Sequence, residues 1–214
     1  DFAGKKKLFM RIFCYLGSAG CLGLYWFDAN HLELSMIPFF MASLGFWGSV
    51  GFYNAYLPEI APAAEHDSLS AKGYAMGYWS SLIILAICAG MIMGIGTHTT
   101  TFSFVLVAIW WFGFAHITFN ALPEPRRKDL PDGNLLLQGF KELRGVAREL
   151  LGYTHLKRFL GAFFIMSMAI QTIIIMASSF GIKEVGLNET ELIVTIFVVN
   201  LLAIPGAFGM SALS

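Results

Sequence analysis

The longest stretch of the chain without Asp, Glu, Lys or Arg is residues 73–123, GYAMGYWSSLIILAICAGMIMGIGTHTTTFSFVLVAIWWFGFAHITFNALP. These 51 residues are too many for one membrane crossing, because a helix needs only about 20 apolar residues to span the ~30 Å hydrocarbon layer. Gly94, Gly96 and the polar run Thr97–Thr101 interrupt the stretch. It therefore predicts two helices, at about 71–95 and 102–122.

Four other uncharged stretches have the length of a membrane span, at 12–27, 34–58, 159–182 and 192–214. None of them shows the alternation of polar and apolar residues that strands of a membrane barrel require. The sequence therefore predicts an all-α, polytopic membrane helix bundle. Its six transmembrane helices are expected at about 8–27, 35–57, 71–95, 102–122, 159–180 and 190–212.

The composition excludes a water-soluble domain. Hydrophobic residues make up 57% of the chain and charged residues 13%, whereas soluble domains carry about 25% charged residues. The 14 basic and 14 acidic residues give a formal net charge of zero. Since nucleic-acid binding depends on a positive field, we expect no nucleic-acid partner.

The positive charges orient the predicted spans. With six spans, one side of the membrane holds thirteen of the 14 Lys and Arg residues, and the other side holds only Lys183. The positive-inside rule makes the basic side cytoplasmic, namely residue 1 and the loops 58–70 and 123–158. A cleaved signal peptide is the alternative for the first apolar run, but five further spans follow it.

The segment 123–158 is the one long polar excursion. A basic cluster at 126–128 follows the fourth span, and from Leu135 apolar residues recur at three- and four-residue spacing, with basic residues between them. This pattern predicts an amphipathic helix at the inner membrane surface. It is either a linker between two bundles or a lipid-sensing element.

Motifs of enzymes and metal sites do not occur in the sequence. No G-x-S-x-G, H-E-x-x-H or P-loop pattern is found, and the five histidines lack ligand spacing. The three cysteines lie inside predicted spans, where they act as small apolar residues. We therefore expect no enzyme, no metal and no cofactor. His116, the one histidine inside a span, is either a packed, hydrogen-bonded residue or a proton relay.

Polar side chains inside the spans mark the candidate site. Gln171, Thr172 and Asn200 fall near the bilayer centre, and Tyr53, Asn54 and Trp79 lie toward the inner end. One interpretation is hydrogen bonding between helices, and the other is a solute path. Glycines at three- and four-residue spacing indicate close helix packing, at Gly17, Gly20, Gly23, Gly45, Gly48, Gly51, Gly73 and Gly77.

The first residues, Asp1-Phe2-Ala3-Gly4-Lys5-Lys6, resemble the back half of the loop signature G-x-L-A-D-x-x-G-R-K of the major facilitator superfamily. Three further stretches resemble one branch, the bacterial relatives of the vacuolar amino-acid effluxers linked to autophagy. They are Gly51–Ala61, Ser70–Tyr78 and Gln171–Gly181. The last residues, Ser211–Ser214, resemble the start of the same signature, so we expect the native sequence to continue with a second such loop and four more spans.

The resemblance implies helices three to eight of a twelve-helix carrier. Residues 1–122 would complete the N-terminal bundle, 123–158 would form a cytoplasmic linker, and 159–214 would begin the C-terminal bundle. The expected partners are membrane lipids, a small polar solute such as an amino acid, a coupling ion and the remaining helices of the full-length chain. The expected location is a bacterial inner membrane.

Alternating access, as the resemblance implies it, gives each candidate residue a role. Asn54, Trp79, Gln171 and Asn200 would face the path with Thr172 beside them, and Tyr53 and Trp79 would act as gates. Asp1, Gly4, Lys5 and Lys6 would form an inner-face latch. Two alternatives are an intramembrane enzyme, for which the sequence offers no nucleophile or acid/base cluster, and a non-transporting membrane scaffold or sensor with the carrier fold.

Overall fold

A computed structural model describes residues 6–96, 99–123 and 135–213. Within these ranges the chain is helical and contains no strand. The α-helices are α1 (Lys6–Gly23), α2 (Leu32–Asn54), α3 (Leu57–Ile60), α4 (His66–Ile95), α5 (Thr100–Ala121), α6 (Leu135–Gly152), α7 (Thr154–Lys183) and α8 (Glu189–Leu213). Short 3₁₀ turns occupy Leu24–Trp26, Ala29–His31 and Ala63–Glu65.

Six helical segments are long and apolar enough to cross a membrane. They contain α1, α2, α4, α5, α7 and α8, which confirms the six predicted spans. Helices α4 and α7 begin well before their uncharged stretches, at His66 and Thr154. The extra turns carry charged residues such as Asp67 and Lys157. A helix can extend beyond the hydrocarbon because its backbone hydrogen bonds form within the helix itself.

The helix predicted after Leu135 is also present, as α6. The basic cluster at 126–128 lies outside the described residues, as do Asp1, Gly4 and Lys5. The chain forms two compact units, one within residues 127–196 and one of residues 5–126 with 197–214. The division at residues 122 and 158 stays a prediction.

Glycine allows α1 and α2 to pack closely. A methyl group on Gly20 would lie 2.8 Å from the carbonyl oxygen of Pro38, and one on Gly45 would lie 2.6 Å from that of Phe13. Neither position has room for a side chain without moving a backbone. The prediction from glycine spacing is confirmed here, and also where side chains crowd Gly17, Gly23 and Gly48.

For the later glycines of the pattern, close packing stays a prediction. Among the described residues, no atom lies within 4 Å of a methyl group added at Gly51 or Gly77, and Gly73 has only the hydroxyl of Tyr53 at 3.4 Å. Spacing identifies one face of a helix, but it does not show whether a neighbouring helix approaches that face.

The end of the larger unit that holds the start of α1 has a small core. Met10 and Cys14 of α1, Tyr56 after α2, and Ala115 and Phe119 of α5 are buried together. Met10 and Tyr56 are almost completely enclosed, at 2% and 1% exposure. This core holds the start of α1, the connection after α2 and the end of α5 at one end of the bundle.

Candidate functional site

The larger of two cavities beside the candidate residues lies among α1, α2, α4 and α5 and measures about 770 Å³. Aromatic rings of Trp47, Trp110 and Trp111 form much of its lining. The Trp110 indole nitrogen donates a hydrogen bond to Ser80 Oγ over 2.8 Å, which ties α5 to α4. The other polar residues that line this cavity are Ser43, Ser49, Tyr53, Ser81 and Thr118.

A second cavity, of about 620 Å³, lies where α2 ends and α4 begins. We call it the tyrosine cavity, because its polar lining residues are Tyr53, Asn54, Tyr56, Ser70, Lys72, Tyr74 and Tyr78. Phenol, amide and hydroxyl groups donate and accept hydrogen bonds, and Lys72 adds a cation. The Tyr56 hydroxyl itself is enclosed, and most of the lining is apolar, so the remaining polar groups suit a small molecule that combines apolar parts with an acidic group.

The structure brings Tyr53 and Asn54 together, and Tyr53 lines both cavities. Trp79 follows Tyr78 on α4, is half exposed, and lines neither of the two cavities. The predicted pairing of Trp79 with Tyr53 as gates therefore stays a prediction.

Five polar contributors to the tyrosine cavity were not among the predicted site residues. Ser70, Lys72, Tyr74 and Tyr78 belong to the stretch Ser70–Tyr78, and Tyr56 to Gly51–Ala61. Both stretches pointed to the family, and none of these five residues was given a site role. In Ser70–Tyr78, the mixture of one cation with hydroxyl groups at the beginning of a span was the available signal.

Gln171 and Asn200 fall in different units, so each is described on its own. Gln171 is half-buried on α7, and the neighbouring Thr172 donates its hydroxyl to the Met168 carbonyl over 2.8 Å. The Thr172 hydroxyl is thus used within its own helix. Asn200 is half-buried on α8, a few residues before Ile204, which packs on Ala75 and Leu82 of α4.

Two lysines at the start of α1 contact the ends of two other helices of the larger unit. Lys6 forms an ion pair with Glu59 and donates to the carbonyl of Ala55 over 3.2 Å, and its ammonium lies 5.5 Å from the centre of the Tyr56 ring. Lys7 donates to the carbonyl of Leu122 over 3.0 Å.

Ala55 and Leu122 cap the C-termini of α2 and α5. Each lysine thus places a positive charge at the negative end of a helix, where carbonyl groups lack partners within the helix. Of the four residues in the predicted latch, Lys6 is described, and its contact residues Ala55, Tyr56 and Glu59 belong to the same unit, so a latch between the two bundles stays a prediction. Asp1, Gly4 and Lys5 lie outside the described residues.

His116 is a packed residue of the α1–α5 interface. Its Nδ1 is 2.7 Å from the Phe112 carbonyl, and its Nε2 is 3.2 Å from the Tyr15 hydroxyl. Because a carbonyl only accepts, Nδ1 carries the proton, and Nε2 accepts from Tyr15. The packed interpretation is therefore favoured over a proton relay.

Metal chemistry has no visible support in the described ranges, where no three His, Cys, Asp or Glu side chains group closely enough to hold an ion. Cys14, Cys21 and Cys88 are free thiols within spans.

The six apolar helices of the described residues define a polytopic α-helical integral membrane protein. The whole chain, residues 1–214, matches the family model described as vacuole effluxer Atg22 like. The chain belongs to this family, and the predicted bundle of the major facilitator type is confirmed.

Individual relatives agree with this assignment. The chain is 27% identical over 213 residues to an uncharacterized MFS-type transporter, YxiO, of Bacillus subtilis, with 96% of the chain and 49% of the relative covered. It is 29% identical over 163 residues to autophagy-related protein 22-1 of Aspergillus niger, with 68% and 25% covered. The chain thus spans about half the length of the bacterial relative. No solved structure matches it significantly.

Proposed function

We propose that the chain forms part of a secondary-active, alternating-access carrier that moves a small polar solute across the membrane. The observation that carries the proposal is the tyrosine cavity beside the inner end, within a chain of the Atg22-like family. A carrier needs a polar site inside an apolar bundle and a closure that can open on one side. The tyrosine cavity supplies polar groups within a mostly apolar lining, and the contacts of Lys6 and Lys7 join helix ends beside it. The opening is proposed to come from movement of the two bundles.

Amino acids are the proposed solute class, and efflux is the proposed direction. The family description names an effluxer. An amino acid carries a carboxylate that Lys72 attracts, and its ammonium group suits the amide oxygen of Asn54 and the phenol oxygens. Gln171 and Asn200 are proposed to provide further hydrogen bonds from the later helices.

The proposed location is a bacterial inner membrane, with the start of α1 and the loops 58–70 and 123–158 in the cytoplasm. The charge asymmetry of the loops supports it. A cysteine at Glu65, which is exposed between α3 and α4, tests it. A membrane-impermeant thiol reagent should label Glu65→Cys in inverted vesicles and leave it unlabelled in right-side-out vesicles.

Solute counterflow tests the transport proposal. The full-length protein is reconstituted into liposomes loaded with amino acids, and uptake of each radiolabelled amino acid is measured. We expect flux for a subset of them, with about a tenfold loss or more in Asn54→Ala, Gln171→Ala and Asn200→Ala, because each removes hydrogen bonds made in a desolvated site.

Asn120→Ala is the matched control, because Asn120 is an exposed asparagine on α5 that lines neither cavity. Its flux should equal that of the parent protein. Equal flux in all four variants would contradict the site assignment. No flux for any solute from a folded protein would instead favour the membrane scaffold or sensor.

A further inference from the structure

We propose that α6 lies flat on the membrane surface and binds anionic phospholipid headgroups through Lys141, Arg144 and Arg148. This assigns a ligand class to a helix outside the proposed transport site. The inference depends on three features of α6: an exposed apolar face, a cationic edge beside it, and a short junction to a membrane-spanning helix.

The described residues leave the apolar face of α6 exposed. Leu143, Val146, Ala147 and Leu150 follow one another at spacings of three and four residues, so they share one side of the helix. Leu143 is 65% exposed, Val146 47% and Leu150 38%. A contiguous exposed apolar strip on a short helix is typical of a helix whose apolar side enters the boundary between headgroups and acyl chains.

The charges of α6 are separated around its axis. At 100° per residue, Arg144 and Arg148 lie 100° and 140° from Leu143, and Lys141 lies at 160° on the same side. Glu142 and Glu149 lie on the opposite edge. The side chains of Lys141, Arg144, Arg148 and Glu149 are exposed. The three cations outnumber the two carboxylates of α6, and their long aliphatic stems let the charged ends bend toward lipid phosphates, which favours an anionic surface over a neutral one.

The junction to α7 places α6 at the headgroup level. A single residue, Tyr153, separates the end of α6 at Gly152 from the start of α7 at Thr154, and its extended backbone interrupts the helix. The uncharged part of α7 begins at Phe159, so Tyr153 lies roughly 9 Å outside the hydrocarbon at 1.5 Å per residue. The headgroup layer is about that thick. Tyr153 is 60% exposed, as expected for a tyrosine of an interfacial belt.

Nitroxide accessibility in the full-length protein tests the proposal. Leu143→Cys and Glu149→Cys are spin-labelled in separate samples, and the unsubstituted protein gives the background from its native thiols. Vesicles are made of phosphatidylcholine alone or with phosphatidylglycerol. In the anionic vesicles, the label at 143 should collide mainly with oxygen, which dissolves in the membrane, and the label at 149 mainly with a water-soluble nickel chelate.

Removal of the three cationic side chains should release α6 from the membrane surface. Each basic residue near an anionic surface contributes about fivefold to binding, so K141Q/R144Q/R148Q should weaken membrane association on the order of a hundredfold. The label at 143 should then collide with nickel. The conservative variant R144K/R148K is the matched control, and it should keep the label immersed.

Three results would overturn the proposal. A label at 143 that is shielded from both reagents would show that protein covers the apolar face. A label open to nickel in anionic vesicles would show a solvated linker. Equal immersion in both vesicle types, unchanged by the triple substitution, would show apolar partitioning without recognition of anionic lipid.

Discussion

Lys7 donates a hydrogen bond to the carbonyl oxygen of Leu122 over 3.0 Å, and this contact joins the first turn of α1 to the end of α5. The preceding Lys6 makes the corresponding contact with Ala55 at the end of α2. Two adjacent lysines thus cap two different helices. The arrangement places the end of α5 beside the start of α1, as the predicted topology requires.

The ion pair between Lys6 and Glu59 should stabilise the inner end of the bundle. We expect Lys6→Met to lower the free energy of unfolding by about 1 kcal/mol, between the values typical of exposed and buried pairs. The Lys6 side chain is 11% exposed and that of Glu59 45%, so solvent screens the pair in part. Thermal unfolding of the full-length protein in detergent measures the change.

A double-mutant cycle with Glu59→Gln separates the pair from its surroundings. The double variant should lose less stability than the sum of the two single variants. Glu65→Gln, an exposed carboxylate of the same connection, should have little effect. Strict additivity of Lys6→Met and Glu59→Gln would show that the pair contributes nothing.

A methyl group at Gly45 should disrupt the contact between α1 and α2. Because the added atom meets the backbone of Phe13 and Gly17 rather than a flexible side chain, the helices themselves must move. We expect Gly45→Ala to cost about 1–3 kcal/mol of stability, the usual penalty for overpacking. Thermal unfolding again gives the measurement.

Gly113→Ala is the matched control on α5, where no atom lies within 4 Å of the added methyl group. Alanine has the better helix propensity, so this variant should be neutral or more stable by up to about 1 kcal/mol. The packing argument fails if both glycine variants unfold at the same temperature.

His116 should be dispensable for transport. Its ring holds α5 to α1 through Tyr15 and contacts its own helix through Phe112, so we expect His116→Gln to retain flux in the liposome assay. Tyr15→Phe should reduce stability by about 0.6 kcal/mol, the average for a hydrogen bond between membrane helices. If His116→Gln lost flux as strongly as Asn200→Ala, a proton relay would be indicated.

Asn188 should stabilise the start of α8. Its side-chain oxygen accepts a hydrogen bond from the backbone N–H of Glu191 over 2.9 Å. The Glu191 carboxylate in turn accepts one from the backbone N–H of Asn188 over 2.9 Å. This reciprocal pair is a capping box, and it follows Gly186, whose φ of 76° turns the chain. We expect Asn188→Ala to cost about 1 kcal/mol in thermal unfolding and Asn188→Asp to cost much less. Equal losses in the two variants would contradict the capping role.

Span number, helix class and the amphipathic helix were predictable from the sequence, and the structure confirms each of them. The signals are local. In lipid, the backbone N–H and C=O groups of an uncharged run such as 73–123 must form their hydrogen bonds within their own helix. Helix ends were less predictable. His66 and Thr154 begin their helices among charged residues, where hydropathy carries no information.

The candidate site was predictable only in part. Tyr53 and Asn54 stood out as polar residues in an apolar run, and the structure gives both a cavity. Lys72 and Tyr74 did not stand out, because they sit at the beginning of a span where polar residues are ordinary. Their role depends on where α4 lies against the end of α2.

The order of apolar and charged residues along the chain was enough to establish a six-span membrane bundle and its family resemblance. It could do so because transfer of each segment into lipid depends on the composition of that segment alone. The partners of Lys6 and Lys7, the crowding of Gly45 and the pairing of Tyr15 with His116 came only from tertiary structure. Each joins residues far apart in the chain, and their contact depends on which helix faces pack together.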